Sequence, residues 1–323
     1  MLKAISTIIA TILILSIVMV LAGSTFLFAS GILTGKISNS FSILDTFNDT
    51  VTIRDEGTDY ITSMTATLDS NNANVAIVPN IAGLVGYWSF NEGNGTAAYD
   101  NSGNRNDGNL NGVYTWVTGN CKFGSCLQFS GNGYVEIQKP SAGYPANWTL
   151  SAYIRPSQNQ FSTVAGFVGE CKDFAIGIQP NNQISSWVTT PVPCQRGYSS
   201  NGVMAQNTNY YIVGTFDGTI LKIYVNGIFQ NTTSASGDSS AAGPLRIGSA
   251  GDCCPTEKFY GTIDEVALFN RALTGAEVQQ LYSGIVSPSQ TATVKFLPPL
   301  TKGMHSLRLC SPSMCNTGYV TIQ

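Results

Sequence analysis

GTIDEVALFNRAL, from Gly261 to Leu273, runs directly into TGAEVQQLYS, from Thr274 to Ser283, and the reading of this stretch decides the fold. Its first part reads as a strand, on which the adjacent acids Asp264 and Glu265 are expected to point to opposite faces. Thr274 with Glu277 three residues later is a capping box, the signature of a helix start. The helix is short, and Val278, Leu281 and Tyr282 fall on one face, which is expected to cover a sheet. Upstream, Trp148–Ile154, Tyr211–Phe216 and Leu221–Val225 are strand-like runs broken by turn residues roughly every eight to twelve positions, the spacing of a β-sandwich. Asn226-Gly227, between Leu221–Val225 and Ile228–Gln230, predicts a two-residue hairpin of the primed type.

Several blocks occur in a fixed order: Gly86-Tyr87-Trp88-Ser89-Phe90-Asn91-Glu92-Gly93, Tyr99-Asp100-Asn101-Ser102-Gly103-Asn104, Asp107-Gly108, Leu127–Gly131, Tyr134–Ile137 and finally Gly261–Leu273. Together they resemble the laminin-G-like, concanavalin-A-type jelly roll across residues 83–285. The resemblance implies one structural calcium, with the family's acids carried over as Glu92, Asp100 and Asp264. Calcium takes six to eight oxygens, and Asn101, Asn104 and Asp107 share that loop. The competing role for Asp100 and Asp264 is to cap turns through bonds to backbone N–H groups. The resemblance also implies sugar binding, which needs exposed aromatic faces. Trp116, Trp187 and Tyr198 lie where the family varies and are the candidate ligand residues, with packing under a loop as their alternative. Trp88, Trp148 and Tyr224 sit in the family blocks and read as core.

Catalysis is not expected. Some relatives of this fold hydrolyse glycans, and retaining hydrolysis needs two carboxyl groups about 5 Å apart across a sugar. Asp264 and Glu265 on opposite faces do not meet that need, and no third acid follows at the right spacing. The single histidine, His305, lies far along the chain, so no Ser-His-Asp set is evident.

Outside residues 83–285 the pattern is again of period two. Val51 and Ile53, Ile61–Leu68 and Val75–Val78 precede it; Thr291–Phe296, His305–Cys310 and Cys315–Ile322 follow. Neither group can bury a core by itself. They are expected to form one discontinuous immunoglobulin-like β-sandwich over 46–82 and 286–323, interrupted by the jelly roll at a solvent-facing loop.

At the other end of the chain, Ile5 to Leu33 carries no charge and lies between Lys3 and Lys36. About 20 apolar residues suffice to cross a bilayer as a helix, and a helix that is apolar all round needs lipid or other helices about it. With Lys3-Ala4 before Ile5-Ser6-Thr7, the start resembles archaeal type IV pilins, which implies leader cleavage between Ala4 and Ile5. The expected fold class is therefore mainly β with one long N-terminal hydrophobic helix (1–45), an immunoglobulin-like sandwich and an inserted jelly roll. The expected partners are further copies of the chain in a helical homopolymer, the membrane before assembly, and surface glycans. The corresponding function is an extracellular filament subunit with an adhesive head; the alternative is a membrane-anchored lectin-like adhesin that does not polymerise.

Composition agrees with a surface protein. The 323 residues carry a net charge of −3 and only 11% charged residues, and the 16 Lys and Arg form no patch, which excludes a nucleic-acid partner. Eight cysteines point to an oxidising compartment. Cys121 with Cys126 and Cys310 with Cys315 are local pairs, while Cys171, Cys194, Cys253 and Cys254 allow three pairings. With one histidine and no repeated C-x-x-C, zinc is disfavoured. Asn48, Asn94, Asn147 and Asn231 head N-x-S/T sequons.

Overall fold

The structure, a computed structural model, describes residues 39–47, 50–138, 145–160, 162–167, 174–179, 181–189, 196–235, 243–249, 257–297 and 300–322. In chain order the strands are β1 (Phe41–Phe47), β2 (Thr50–Asp55), β3 (Thr65–Leu68), β4 (Asn71–Pro79), β5 (Leu84–Trp88), β6 (Ala97–Ala98), β7 (Gly108–Val117), β8 (Cys126–Ile137), β9 (Trp148–Pro156), β10 (Ser162–Phe167) and β11 (Phe174–Ile178). They continue as β12 (Gln183–Thr189), β13 (Arg196–Val203), β14 (Tyr210–Phe216), β15 (Ile220–Val225), β16 (Ile228–Ser234), β17 (Leu245–Ile247), β18 (Tyr260–Phe269), β19 (Thr291–Leu297), β20 (Gly303–Cys310) and β21 (Cys315–Ile322). Among the described residues there is one helix, α1 (Gly275–Ser283).

Strands from the two ends of the described chain form a seven-stranded sheet in the order β1-β2-β19-β4-β3-β20-β21. Alternate residues, among them Val51, Ile53, Val294, Phe296, Leu307 and Leu309, are buried on one face, as the period of a half-buried strand requires. Its two outer strands come together, since Asn316 Nδ2 donates to the Phe41 carbonyl at 2.6 Å. This corrects the immunoglobulin-like reading. The nine-residue β4 pairs with β19 along Asn74–Pro79 and with β3 along Asn71–Ala73. One strand thus joins both halves into a continuous curled sheet, where two separate facing sheets were expected.

The expected fold class is corrected in a second respect. The described chain consists of strands and one nine-residue helix, and no helix among the described residues is long and apolar enough to cross a membrane. Ile5–Leu33, with the cleavage pair Ala4 and Ile5, lies outside the described residues, as do Asn48, Cys171, Cys194, Cys253 and Cys254. A pilin architecture is therefore not retained.

The second sheet has fourteen strands, with β13-β12-β11-β10-β17-β8-β18-β9-β14-β15-β16 bonded in that order; β5 adds to β18, and β7 joins β8 to β6. It folds over on itself. Trp148 of β9 stacks on Phe174 of β11 with ring centroids 4.5 Å apart, and both are buried with Phe129, Phe216, Ile263 and Leu268 in one core. The central strands are buried on both faces. On β14, Ile212 and Phe216 enter this core, while Tyr211 and Val213 point the other way into a second cluster with Tyr87, Tyr224, Phe269 and Val278. That outer face is covered by α1 and bordered by β4.

Helix α1 lies there because its ends are fixed. Thr274 and Glu277 form the capping box, and Gly284 closes the helix at φ 68° with its N–H bonded to the Gln280 carbonyl. Asn226 (φ 51°) and Gly227 (φ 78°) adopt the left-handed pair that a primed hairpin turn demands.

Candidate functional site

A bulge in β18 organises the outer face. Asp264 pairs with Tyr153 and Ala267 with Ser151, so β18 has one residue more than β9 across this step, and Glu265 takes a left-handed backbone at φ 50°. Ile263 and Val266 both enter the inner core, so the two acids between them share the outer side. The strict alternation expected for Asp264 and Glu265 therefore fails, as a bulge re-aims side chains.

Each carboxyl has its own surroundings. Asp264 Oδ2 accepts the Lys122 N–H at 2.7 Å and the Phe123 N–H at 3.3 Å, and Oδ1 accepts the Glu265 N–H at 2.9 Å. The Cys121–Cys126 disulfide closes the loop that carries Lys122. The two sulfurs beside Asp264 are thus bonded to each other and offer no thiolate to a metal. Glu265 Oε2 accepts the Tyr87 hydroxyl, while its buried Oε1 has no hydrogen-bond partner. Burial pushes both carboxyls up, and it lowers the Lys122 amine against the opposing pull of the two acids. Lys122 Nζ sits 4.7 Å from the Tyr153 ring centroid, 5.3 Å from Phe123 and 5.8 Å from Tyr282, within cation–π range. Tyr153 and Tyr211 stack at 4.5 Å.

Two cavities meet at this cluster, sharing Lys122, Tyr153, Tyr211 and Tyr282. The inner one, about 280 Å³, lies at the seam with the first sheet; Glu265 and Tyr87 line it together with Met64, Val75, Ile77 and Leu281. The outer one, about 230 Å³, is more polar and includes Asn120, Asn209, Tyr210, Asn226 and Asp264. Lys295 of β19 ties the first sheet to this region, its Nζ 4.2 Å from the Tyr87 ring. Such sites, with aromatic walls and a few placed polar groups, suit small polar ligands.

The candidate ligand residues read from the sequence do not gather here. Trp187 is only 1% exposed and packs its ring over Gly177 of the neighbouring strand, so it is core and not a ligand platform. Trp116 is half-buried and donates from Nε1 to the Gly95 carbonyl at 3.0 Å. Tyr198 faces Trp187 in the β12–β13 register, with its side chain outside what is described. Lys122, Tyr153, Tyr211 and Tyr282 were not singled out as ligand groups in the sequence, because their convergence depends on which faces the jelly roll turns outward.

The acids assigned to calcium each have main-chain partners of their own. Asp100 takes the turn-capping role: Oδ1 accepts from Tyr87 N and Ser102 N at 2.9 and 2.8 Å, and Oδ2 from Asn106 N at 2.9 Å. Glu92 Oε1 accepts from Tyr99 N at 2.7 Å, and its Oε2 is buried without a partner. Glu92, Asp100 and Asp107 belong to one loop system, since Asp107 Oδ1 accepts from Asp100 N at 2.8 Å. Asp264 is held instead by the main chain of the Lys122 loop. His305 bonds Asp69 Oδ2 at 2.7 Å and the Thr301 carbonyl at 2.9 Å on the first sheet. Asn94, Asn147 and Asn231 are exposed. Cys310–Cys315 is the second described disulfide, and the two bridges place the protein in an oxidising, extracellular or surface setting.

Comparison with known proteins bears on the fold. Residues 129–279 match the family described as the concanavalin A-like lectin/glucanases superfamily. This region carries a laminin-G-like, concanavalin A-like jelly roll. Among solved structures, domain 4 of the extracellular arabinanase AbnA from Geobacillus stearothermophilus, in complex with arabinotriose, is similar at TM-score 0.50 and 17% identity, covering 63% of this chain and 100% of that one. The binding domain of Paraclostridial Mosquitocidal Protein 1 gives a TM-score of 0.48 at 17% identity (62% and 52% covered), and Trypanosoma rangeli sialidase 0.46 at 21% (63% and 33%). At such identities the arabinanase likeness concerns the fold alone. No curated protein matches the chain.

Proposed function

We propose that the jelly roll recognises carbohydrate at a cell surface through the outer cavity, as a binding module without turnover. The observation that carries this reading is the convergence of Tyr153, Tyr210 and Tyr282 with Asn120, Asn209 and Asn226 around one opening. Ring faces suit the apolar face of a pyranose, and amides suit its hydroxyls. The arabinotriose complex of the arabinanase domain supports the class of ligand. Asp264 is committed to three main-chain N–H groups, so the site offers no free carboxyl pair to flank a glycosidic bond.

The test is a surface-glycan array probed with the full chain, alongside Asn209→Ala, a change at an exposed lining residue. Loss of one neutral hydrogen bond predicts about a five- to tenfold fall in affinity for the retained glycans. A chain that binds no glycan, or a variant that binds them all unchanged, would overturn the reading.

A structural calcium is part of the proposal only for the Glu92–Asp107 loop, where the unpartnered Glu92 Oε2 is the available ligand. Chelation is expected to lower the melting temperature; an unchanged melt removes the ion. The filament role is not carried forward, because the stretch it rested on lies outside the described residues and nothing described supports it.

A further inference from the structure

The inner cavity contains two polar groups that its own walls leave unsatisfied. Glu265 Oε1 is a buried oxygen without a partner, and an unmet group of this kind is rare in native interiors. Lys122 Nζ has ring faces around it and, among the described residues, no hydrogen bond. Both groups line the same space, together with the apolar side chains of Met64, Val75, Ile77 and Leu281.

One acceptor, one cationic donor and an apolar wall are the complement of a methyl-bearing secondary amide. Its N–H meets Glu265 Oε1, its carbonyl meets Lys122 Nζ, and its methyl lies on the aliphatic side. A lone hydroxyl in the same place leaves the apolar wall empty. A free amine offers Lys122 no acceptor, and a carboxylate offers Glu265 no donor. Among saccharides, the group that fits is an acetamido arm.

We propose that the inner cavity takes the acetamido group of an N-acetylhexosamine whose ring lies in the outer cavity, against the tyrosines that both cavities share. This deepens the carbohydrate reading and rests on it.

The test uses the full chain with N-acetylglucosamine, N-acetylgalactosamine, glucose and glucosamine, followed by calorimetry and ligand-observed saturation transfer. The expected result is at least a tenfold preference for one acetamido sugar over glucose and glucosamine, with the strongest saturation on the acetyl methyl. Lys122→Met and the near-isosteric Glu265→Gln are each expected to cut that preference to threefold or less, and their melting curves report whether they fold. Equal affinity for glucose and the acetamido sugars overturns the proposal, as does a preference that persists in both variants. If the chain binds glycans on the array but none with an acetamido group, the proposal falls and the carbohydrate reading stands. If it binds none at all, both fall.

Discussion

Glu265 combines three unfavourable features: a left-handed backbone at φ 50°, a buried carboxyl, and an oxygen without a partner. Positive φ in a non-glycine residue costs of order 1–3 kcal/mol and tends to cluster at functional sites. The bulge that causes it was not legible in IDEV, because a bulge is defined by the partner strand, and the one-residue excess appears only once β9 is laid beside β18. A second bulge, in β7, has a plainer cause. Gly112 stands at φ 72°, and a Cβ there would come within 1.8 Å of the Asn132 carbonyl oxygen. Gly112→Ala is expected to cost about 2–3 kcal/mol by backbone strain and collision, read as a lower denaturant midpoint; an unchanged midpoint would show that the neighbouring strand gives way.

At the scale of elements, α1 was legible because its signals are local. Thr274, Glu277 and the 3.6-residue spacing of Val278, Leu281 and Tyr282 stand within nine residues of one another. Arg271 adds what the sequence alone did not show. Its guanidinium bonds both Glu277 oxygens, at 2.6 and 3.0 Å, and this, helped by the Thr274 cap, holds the Glu277 carboxyl down to about 2 from its usual 4.5. A depressed folded pKa contributes stability that is fully present above the unfolded value and lost as pH falls through the folded one. Melting temperature is therefore expected to fall between about pH 4.5 and 2, and Glu277→Gln is expected to flatten that part of the profile. The variant should also lose up to about 1 kcal/mol at neutral pH with the charge that pairs with Arg271, while its amide oxygen keeps the capping box. A variant with the parent's acid profile would show that the pair does not act on folding. The first sheet shows the opposite case. Its strands were legible from alternation, but β4 bonding two partners along its length depends on long-range register, and a two-sheet sandwich was the wrong inference from the same residues.

For the molecule as a whole, the jelly roll was legible because its blocks recur in order, while the site was not. Trp116, Trp187 and Tyr198 are the aromatic residues of the variable stretches, yet Trp187 is core, with a ring that needs Gly177 beneath it. The cavities instead use residues from β5, the Lys122 loop, β9, β14, β18 and α1, with the first sheet as one wall. Only the folded roll brings these together. The central claim is that carbohydrate binds at the β18 bulge, and photo-crosslinking with a retained glycan that carries a photoreactive group tests it most directly, with labelled peptides located by mass spectrometry. Binding at the bulge predicts glycan-dependent label on the peptides containing Lys122, Tyr153 and Tyr282. Label confined to the strands around Trp116 or Trp187, or no glycan-dependent label, would contradict it.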